Sequence, residues 1–198
     1  DLEEGTACTF RWSDVRFFLL DNRWWRSPNR RTTGDRQMLG EEQIRWLVDA
    51  LASSRAPFKL IAVGSQVLNP VPGSENYARF AGERRRLLDR IREEGIGGVV
   101  FLTGDRHMTE LTVLERDGTY DLRDLTVSPL TSSPYRDGGE EPNFRRADGT
   151  LVTERNFAVL EFTGPRTDRE MTIRVYDADG RELWSRSLRA RALRPDAD

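Results

Sequence analysis

Short apolar runs alternate with segments of helical periodicity along the first half of the chain. Continuous apolar stretches predict strands over residues 15–20, 58–63 and 98–103. Between them, apolar residues recur every three or four positions, which predicts helices over residues 41–53 and 76–94. This alternation is typical of βαβ units, whose strands are parallel and buried on both faces. We therefore expect an α/β fold.

Beyond Thr109 the pattern changes to short strands in which apolar and polar residues alternate. Asp179-Gly180 is a hairpin turn signal before the last of them. Such alternation is typical of antiparallel sheet with one solvated face. The predicted strands cover residues 111–114, 122–127, 156–162, 171–176 and 182–188.

Two further segments lack strand or helix periodicity. Residues 132–149 are rich in Pro, Gly and charge, which predicts a long surface loop, and residues 189–198 are predicted to be a flexible tail. No composition shift is sharp enough to divide the chain. We therefore expect residues 1–198 to form a single domain.

Charge and composition exclude some classes of function. The formal net charge is -2, and Lys59 is the only lysine, so no net basic field points to nucleic acid. No apolar stretch approaches the roughly 18 residues that cross a bilayer, and no membrane span is expected. Cys8 is the only cysteine, which leaves no intramolecular disulfide, and we predict that it is a small buried hydrophobe. Nothing in the composition indicates an oligomeric state.

Polar residues directly follow each of the three apolar strands. They are Asp21-Asn22-Arg23, Gly64-Ser65-Gln66 and Gly104-Asp105-Arg106-His107. In open α/β sheets, ligands bind outside the carboxyl ends of the strands. Side by side, these residues would bring carboxylates, amides, an imidazole and guanidinium groups to one crevice. Such a crevice suits a cation together with an oxyanion.

Asp105 and His107 are the strongest candidates for metal ligands. A carboxylate and an imidazole two residues apart can point toward one ion, and His107 is the only histidine in the chain. By itself, the pattern also fits a solvated turn. Arg23 can donate two parallel hydrogen bonds to an oxyanion, although a surface ion pair is the commoner use of such an arginine.

Other enzyme classes have signatures that this chain lacks. No G-x-G-x-x-G follows a strand, and no phosphate-binding P-loop is present. Ser65 lacks the second glycine of a G-x-S-x-G nucleophile elbow. A serine esterase that uses Ser65 and His107 stays open as a weaker alternative, and its activity would not respond to a chelator.

Three segments match a known family in order and spacing. They are Phe-Phe-Leu-Leu-Asp-Asn-Arg at 17–23, Leu-Gly-Glu-Glu-Gln-Ile-Arg-Trp-Leu at 39–47 and Phe-Leu-Thr-Gly-Asp-Arg-His at 101–107. With them, the chain resembles the alkaline phosphatase D family of metallophosphatases. The resemblance implies a four-layer αββα sandwich, of which this chain would be the C-terminal half. It also implies hydrolysis of phosphate monoesters or diesters, a site with iron and calcium, and a periplasmic or secreted enzyme.

The resemblance also implies roles for the residues at the strand ends. Asp105 and His107 would ligate metal, and Asp21, Arg23 and His107 would serve catalysis. Met108 departs from the family, because close relatives often carry a second histidine there. The residues expected to contact a small phosphate-ester substrate are Asn22, Arg23, Gln66 and Arg106.

The family's remaining metal ligands come from an N-terminal half that does not appear here. The chain begins with Asp1, which suggests a mature, cut or partial product. We therefore expect an incomplete metal site and weak or no activity from this chain alone. The alternative is a non-catalytic fold remnant or interaction module, which would hold no stoichiometric metal.

Overall fold

Two sheets and two α-helices make up the part of the chain that the structure, a computed structural model, describes: residues 2, 4–73, 75–135 and 143–195. The larger sheet has the strand order β1-β2-β3-β4-β6-β5, and the smaller has the order β7-β8-β9. The strands of the larger sheet are β1 Cys8–Trp12, β2 Val15–Leu19, β3 Lys59–Ala62, β4 Val99–Thr103, β5 Glu110–Leu114 and β6 Leu122–Thr126. Those of the smaller, antiparallel sheet are β7 Asn156–Thr163, β8 Glu170–Asp177 and β9 Glu182–Arg189.

The middle of the larger sheet is parallel, which confirms the predicted α/β class. Strands β2, β3 and β4 are parallel neighbours, and β6 pairs parallel to the far side of β4. Helix α1, Glu41–Ser53, connects β2 to β3, and helix α2, Ala81–Glu93, connects β3 to β4. Because successive right-handed crossovers run in one direction along the sheet, both helices cover the same face.

Short 3-10 helices complete the secondary structure of the described residues. The first directly precedes α2, so the single helix predicted over residues 76–94 consists of two parts; Asn76 caps it by accepting a hydrogen bond from the amide of Ala78 (2.9 Å). The three 3-10 helices are Tyr77–Phe80, Arg166–Asp168 and Ala190–Leu193.

One hydrophobic core joins the helices and both sheets. The first three residues of β3 and β4 are buried in succession, as in strands covered on both faces. Ile44 and Leu47 of α1 belong to this core, as do Ile173 and Val175 of β8. The Phe58 ring meets the Phe162 ring of β7 edge to face, with 5.6 Å between centroids. The ends of the parallel strands are therefore fixed by a continuous hydrophobic core.

The first strand and its cysteine correct the sequence prediction. Strand β1 pairs antiparallel with β2 at the edge of the larger sheet, where it was not predicted. Cys8 is exposed rather than buried. An edge strand has a neighbour on one side only, and Arg11 and an exposed Trp12 give it no apolar periodicity.

The predicted flexible tail is corrected up to residue 195. Leu193 is completely buried, and its carbonyl accepts a hydrogen bond from the amide of Gly98 (2.8 Å), which fastens this end of the chain beside β4. Residues 196–198 lie outside the described residues. No helix among the described residues is long and apolar enough to cross a membrane.

The predicted surface loop over residues 132–149 also needs correction where the structure describes it. Residues 136–142 lie outside the described residues. Asn143 is buried, and its amide donates to Glu110 (2.8 Å) and Thr112 (2.9 Å) on β5. Arg146 forms a β-bridge with Thr112. This part of the segment therefore pairs with the sheet.

Candidate functional site

The three polar strand ends meet at one edge of the larger sheet, as predicted. Strands β2, β3 and β4 are adjacent and parallel, so the loops that follow them start side by side. The amide of Asn22, after β2, donates to the hydroxyl of Ser65, after β3 (2.9 Å). Gly64 allows this approach, because a Cβ there would lie 3.1 Å from the Asn22 side-chain nitrogen. The first two loops are thus joined directly.

The loop after β4 holds two non-glycine residues in the left-handed region. Asp105 has φ 69° and His107 has φ 56°. Each such residue costs of order 1–3 kcal/mol and persists only where its surroundings fix it. Here the amide of His107 donates to the hydroxyl of Ser128 (3.0 Å), and the carbonyl of His107 accepts from the amide of Tyr135 (2.8 Å). The loop is therefore held in a strained conformation from two sides.

One ring nitrogen of His107 forms a hydrogen bond within the protein. Nδ1 lies 2.5 Å from the carbonyl oxygen of Ser133. A carbonyl can only accept a hydrogen bond, so Nδ1 carries the hydrogen, and in the neutral imidazole Nε2 then has the lone pair. Histidines that bind metal have this arrangement, with the other ring nitrogen bonded to a carbonyl or carboxylate. Nε2 is thus the ring nitrogen of His107 that could bind a metal.

Asp105 fits the same chemistry. It is exposed and makes no hydrogen bond or ion pair with any residue that the structure describes. Carboxylate oxygen and imidazole nitrogen together suit Fe or Zn, and a carboxylate also suits Ca²⁺. Two candidate side chains fall short of the four or more ligands that such ions take. No group of three potential ligand side chains occurs within the described residues.

Asp21 shapes the loop after β2. Its Oδ1 accepts from the amides of Arg23 (2.8 Å) and Trp24 (2.9 Å), and its Oδ2 accepts from the amide (3.1 Å) and hydroxyl (2.9 Å) of Thr6. Burial alone would raise the pKa of Asp21, but the hydrogen bonds from Trp24, Arg23 and Thr6 outweigh it and lower the pKa below its usual range. Oδ1 therefore holds the backbone at Arg23 and Trp24, and Oδ2 ties this loop to Thr6.

Arg23 reaches solvent from this loop. Its side chain is 64% exposed, and Nη1 lies 3.2 Å from Oε2 of Glu75, which Arg26 also approaches at 3.0 Å. An exposed ion pair of this kind is worth about 1 kcal/mol or less. Arg106 is half-buried beside Asp105. Arginines thus flank the strand-end crevice.

Gln66 does not lie in the crevice, which corrects its predicted role in substrate binding. Its side chain is completely buried; the amide donates to Glu110 (2.7 Å) and Thr126 (2.9 Å) and accepts from Asn69 (2.9 Å). Every polar atom of the side chain is satisfied inside the protein. Ser65 is also buried, with 2% exposure, which argues against the alternative of a serine esterase. Met108 is fully buried and packs inside the protein.

Sequence reasoning missed two buried acids that position the loop after β3. Asp124 accepts from the amides of Val67 (2.7 Å) and Leu68 (2.9 Å), and from the Thr103 hydroxyl (2.6 Å). Burial raises the pKa of Asp124. Glu110 accepts from the Gln66 amide. The available signal was an acidic residue inside a predicted strand for Asp124, which follows Arg123 in β6, and an acidic residue at the start of β5 for Glu110.

The fold and the strand-end residues define a class: an α/β layered protein whose sheet edge presents groups that suit a cation and an oxyanion. The sequence profile of the family described as PhoD-like phosphatase matches residues 6–164. The chain therefore belongs to the PhoD-like phosphatase family, whose members hydrolyse phosphate esters, and the recognition from sequence is confirmed.

Two relatives give the extent of the likeness. Alkaline phosphatase D of Bacillus subtilis (strain 168) is 24% identical over 160 residues, which cover 71% of this chain and 27% of that protein. A solved structure of PhoD superposes with a TM-score of 0.67 at 19% identity and covers 91% of this chain and 44% of that one. The fold is thus that of part of a PhoD domain. The chain spans about a quarter of the length of the curated relative.

Proposed function

We propose that this chain carries part of a metal-dependent active site that hydrolyses phosphate esters, with Asp105 and His107 as metal ligands. The conformation of the loop after β4 supports this most strongly. Two left-handed residues there present a carboxylate with no partner among the described residues and an imidazole whose Nδ1 is bonded to a carbonyl. Membership of the PhoD-like phosphatase family supports the reaction class.

The chain's own residues would divide the work. Asp105 and His107 would hold the ion, with iron and calcium as the proposed metals; when bound, such ions lower the pKa of water and neutralise charge on phosphate oxygens. Arg23 would donate parallel hydrogen bonds to the phosphate and stabilise charge that develops there. Asp21 would hold the turn that positions Arg23. Asn22 and Arg106 would contact the substrate from either side.

Glu75 forms an ion pair with the guanidinium of Arg23, the group to which the phosphate would bind. The Arg23 side chain is 64% exposed and that of Glu75 is 27% exposed, so their pair contributes about 1 kcal/mol. Glu75 would keep Arg26, at 3.0 Å, as a partner if phosphate took its place at Arg23. A phosphate dianion forms stronger, bidentate hydrogen bonds with arginine. Substrate would therefore displace Glu75 at little cost.

The remaining ligands would come from the N-terminal half that the resemblance implies. The described residues offer two proposed ligands, and the curated relative is several times longer than the matched region. We propose that the complete site needs those further ligands, that the enzyme acts on small phosphate monoesters or diesters, and that it works in the periplasm or outside the cell, as the resemblance implies.

Hydrolysis of p-nitrophenyl phosphate and bis(p-nitrophenyl) phosphate by the protein expressed from its complete reading frame tests the proposal. Asp105→Asn and His107→Ala should each lower kcat about 100-fold or more, because outer partners of metal ligands alone contribute 10–100-fold. Asp117→Asn alters an exposed turn aspartate on the antiparallel flank and should leave kcat unchanged. Full activity in both ligand variants would refute the proposed site.

The 198-residue chain by itself should show weak or no turnover. Robust turnover that His107→Ala and a chelator both abolish would contradict the incompleteness of its metal site. A non-catalytic interaction module, the alternative from the sequence, would give no turnover in any length of chain and would hold no stoichiometric metal.

A further inference from the structure

A second concentration of cationic side chains lies at the opposite end of the parallel strands from the candidate site. A cleft of about 630 Å³ lies beside the C-terminal end of α1, between Ser54 and the hairpin that joins β1 to β2. A second cleft of about 270 Å³ adjoins it and shares Arg55 and Arg166. Together we name these two spaces the basic groove. Its cationic residues are Arg11, Arg16, Lys59, Arg55, Arg166 and Arg194.

Acidic residues do not balance this charge. Asp14 is the only carboxylate that lines the groove within the described residues. That carboxylate is already paired with Arg169, which donates from Nη2 at 2.7 Å and from Nε at 3.1 Å. None of the six cationic residues forms an ion pair with another described residue. The groove therefore has an excess of positive charge.

Lys59 distinguishes the positive charge of the groove from that of an ordinary solvated surface. Only 6% of the residue is exposed, yet it has no acidic partner among the described residues. Burial lowers the pKa of Lys59. Arg16 is its register partner on β2, so two cations lie side by side on adjacent strands, which is unfavourable. The stem of Lys59 is enclosed and its ammonium nitrogen is not among the fully buried atoms, so the charge is accessible from the groove. A charge that has lost most of its solvent is normally paired or bound to a ligand.

The C-terminal end of α1 explains only a small part of this arrangement. Helix carbonyls carry roughly half a negative charge at that end, and no basic residue occupies the last turn of α1. Arg55, just beyond it, would suffice to offset that partial charge. The five other cations, including a buried lysine, have no acidic partner among the described residues.

We propose that the basic groove binds a polyvalent oxyanion of the phosphate type, in a site separate from the strand-end crevice. Arginine forks and a lysine ammonium are the groups that bind phosphate in proteins. The combined space would hold an anion at least as large as pyrophosphate. The inference stands independently of the proposed hydrolase activity, since it uses none of the residues of the strand-end site.

Isothermal titration of inorganic pyrophosphate into the 198-residue chain, at fixed ionic strength in chloride, tests the groove. We expect one equivalent to bind. Lys59→Met and Arg55→Gln should each weaken binding about tenfold or more. Arg45→Gln is the matched control, because Arg45 lies on the exposed side of the same helix and does not line the groove. An equal loss in all three variants, or no binding by the wild type, would overturn the proposal.

Thermal unfolding provides a second test, in which Lys59→Met should raise the unfolding temperature although it weakens anion binding. Without ligand, Lys59→Met should unfold at a higher temperature than the wild type, because an unpaired and partly desolvated charge is replaced by an apolar chain. Pyrophosphate should raise the unfolding temperature of the wild type and not that of the variant. If Asp105→Asn or His107→Ala abolishes binding while Lys59→Met does not, the anion binds at the strand-end crevice, and the groove is refuted.

Discussion

At the scale of single residues, the candidate metal ligands depend on an unusual backbone. Asp and His are among the few side chains enriched at positive φ, and Asp105 and His107 both adopt it. The sequence indicated the residue types and their spacing. It could not indicate that Ser133 and Tyr135, some 26 to 28 positions further on, hold His107 in place, because such contacts depend on the fold.

Gln66 is a second residue whose surroundings could not be predicted from the sequence. Its position after a buried strand fits a substrate contact as well as it fits an interior hydrogen bond. The choice is made by Glu110 and Thr126, which come from strands on the far side of β4 and accept from its amide. A chain position alone does not encode that neighbourhood.

Asp21 gives a prediction with a defined pH dependence. Asp21→Ala should lower the free energy of unfolding at pH 7 by about 1 kcal/mol, because the loop amides lose their acceptor. The pKa of Asp21 is lowered in the folded state, so its contribution is fully present above the unfolded pKa of about 3.9 and is lost as the pH falls through the folded pKa. Urea unfolding from pH 7 to pH 2 should show the two proteins converging.

Asp117→Ala is the control for that experiment. Asp117 lies exposed in a turn, so its removal should change the free energy of unfolding by less than about 0.5 kcal/mol. A constant difference between wild type and Asp21→Ala across the whole pH range would show that the carboxylate charge is not what stabilises the turn.

At the scale of elements, periodicity predicted most of the sheet and both helices. Helix α1 begins and ends where its apolar spacing indicates, because Ile44, Leu47, Val48 and Leu51 all face the core. Strand β1 was missed since an edge strand has little to bury. The segment after Asn143 was missed because its pairing with β5 uses backbone and polar groups.

The start of α1 depends on a buried acid from α2. Glu83 is 1% exposed, and its carboxylate accepts from the amides of Met38 (2.7 Å), Leu39 (3.1 Å) and Gly40 (2.8 Å). Glu83→Ala leaves three buried amides without an acceptor and should destabilise the protein by about 3 kcal/mol or more. Chemical unfolding measures the loss.

Glu93→Ala is the matched control on the same helix. Glu93 is exposed at the end of α2, so its removal should cost less than about 0.5 kcal/mol. Equal effects of the two substitutions would contradict the role given to Glu83.

At the scale of the whole molecule, the two ends of the parallel strands differ in chemistry. One end presents Asp105, His107 and Arg23, and the other presents the basic groove. The net charge of -2 did not indicate this separation of charge, because a net charge does not tell where in the fold the charged residues lie. The groove's cations are spread from residue 11 to residue 194, so only the fold brings them together.

The metal content of the protein expressed from its complete reading frame tests the central claim most directly. Elemental analysis after gel filtration should find stoichiometric divalent or trivalent metal in the wild type and in Asp117→Asn. The His107→Ala variant, once circular dichroism shows that it is folded, should contain at least about tenfold less metal per protein than the wild type. Equal metal in His107→Ala and wild type, or none in either, would contradict a metal centre at the strand end after β4.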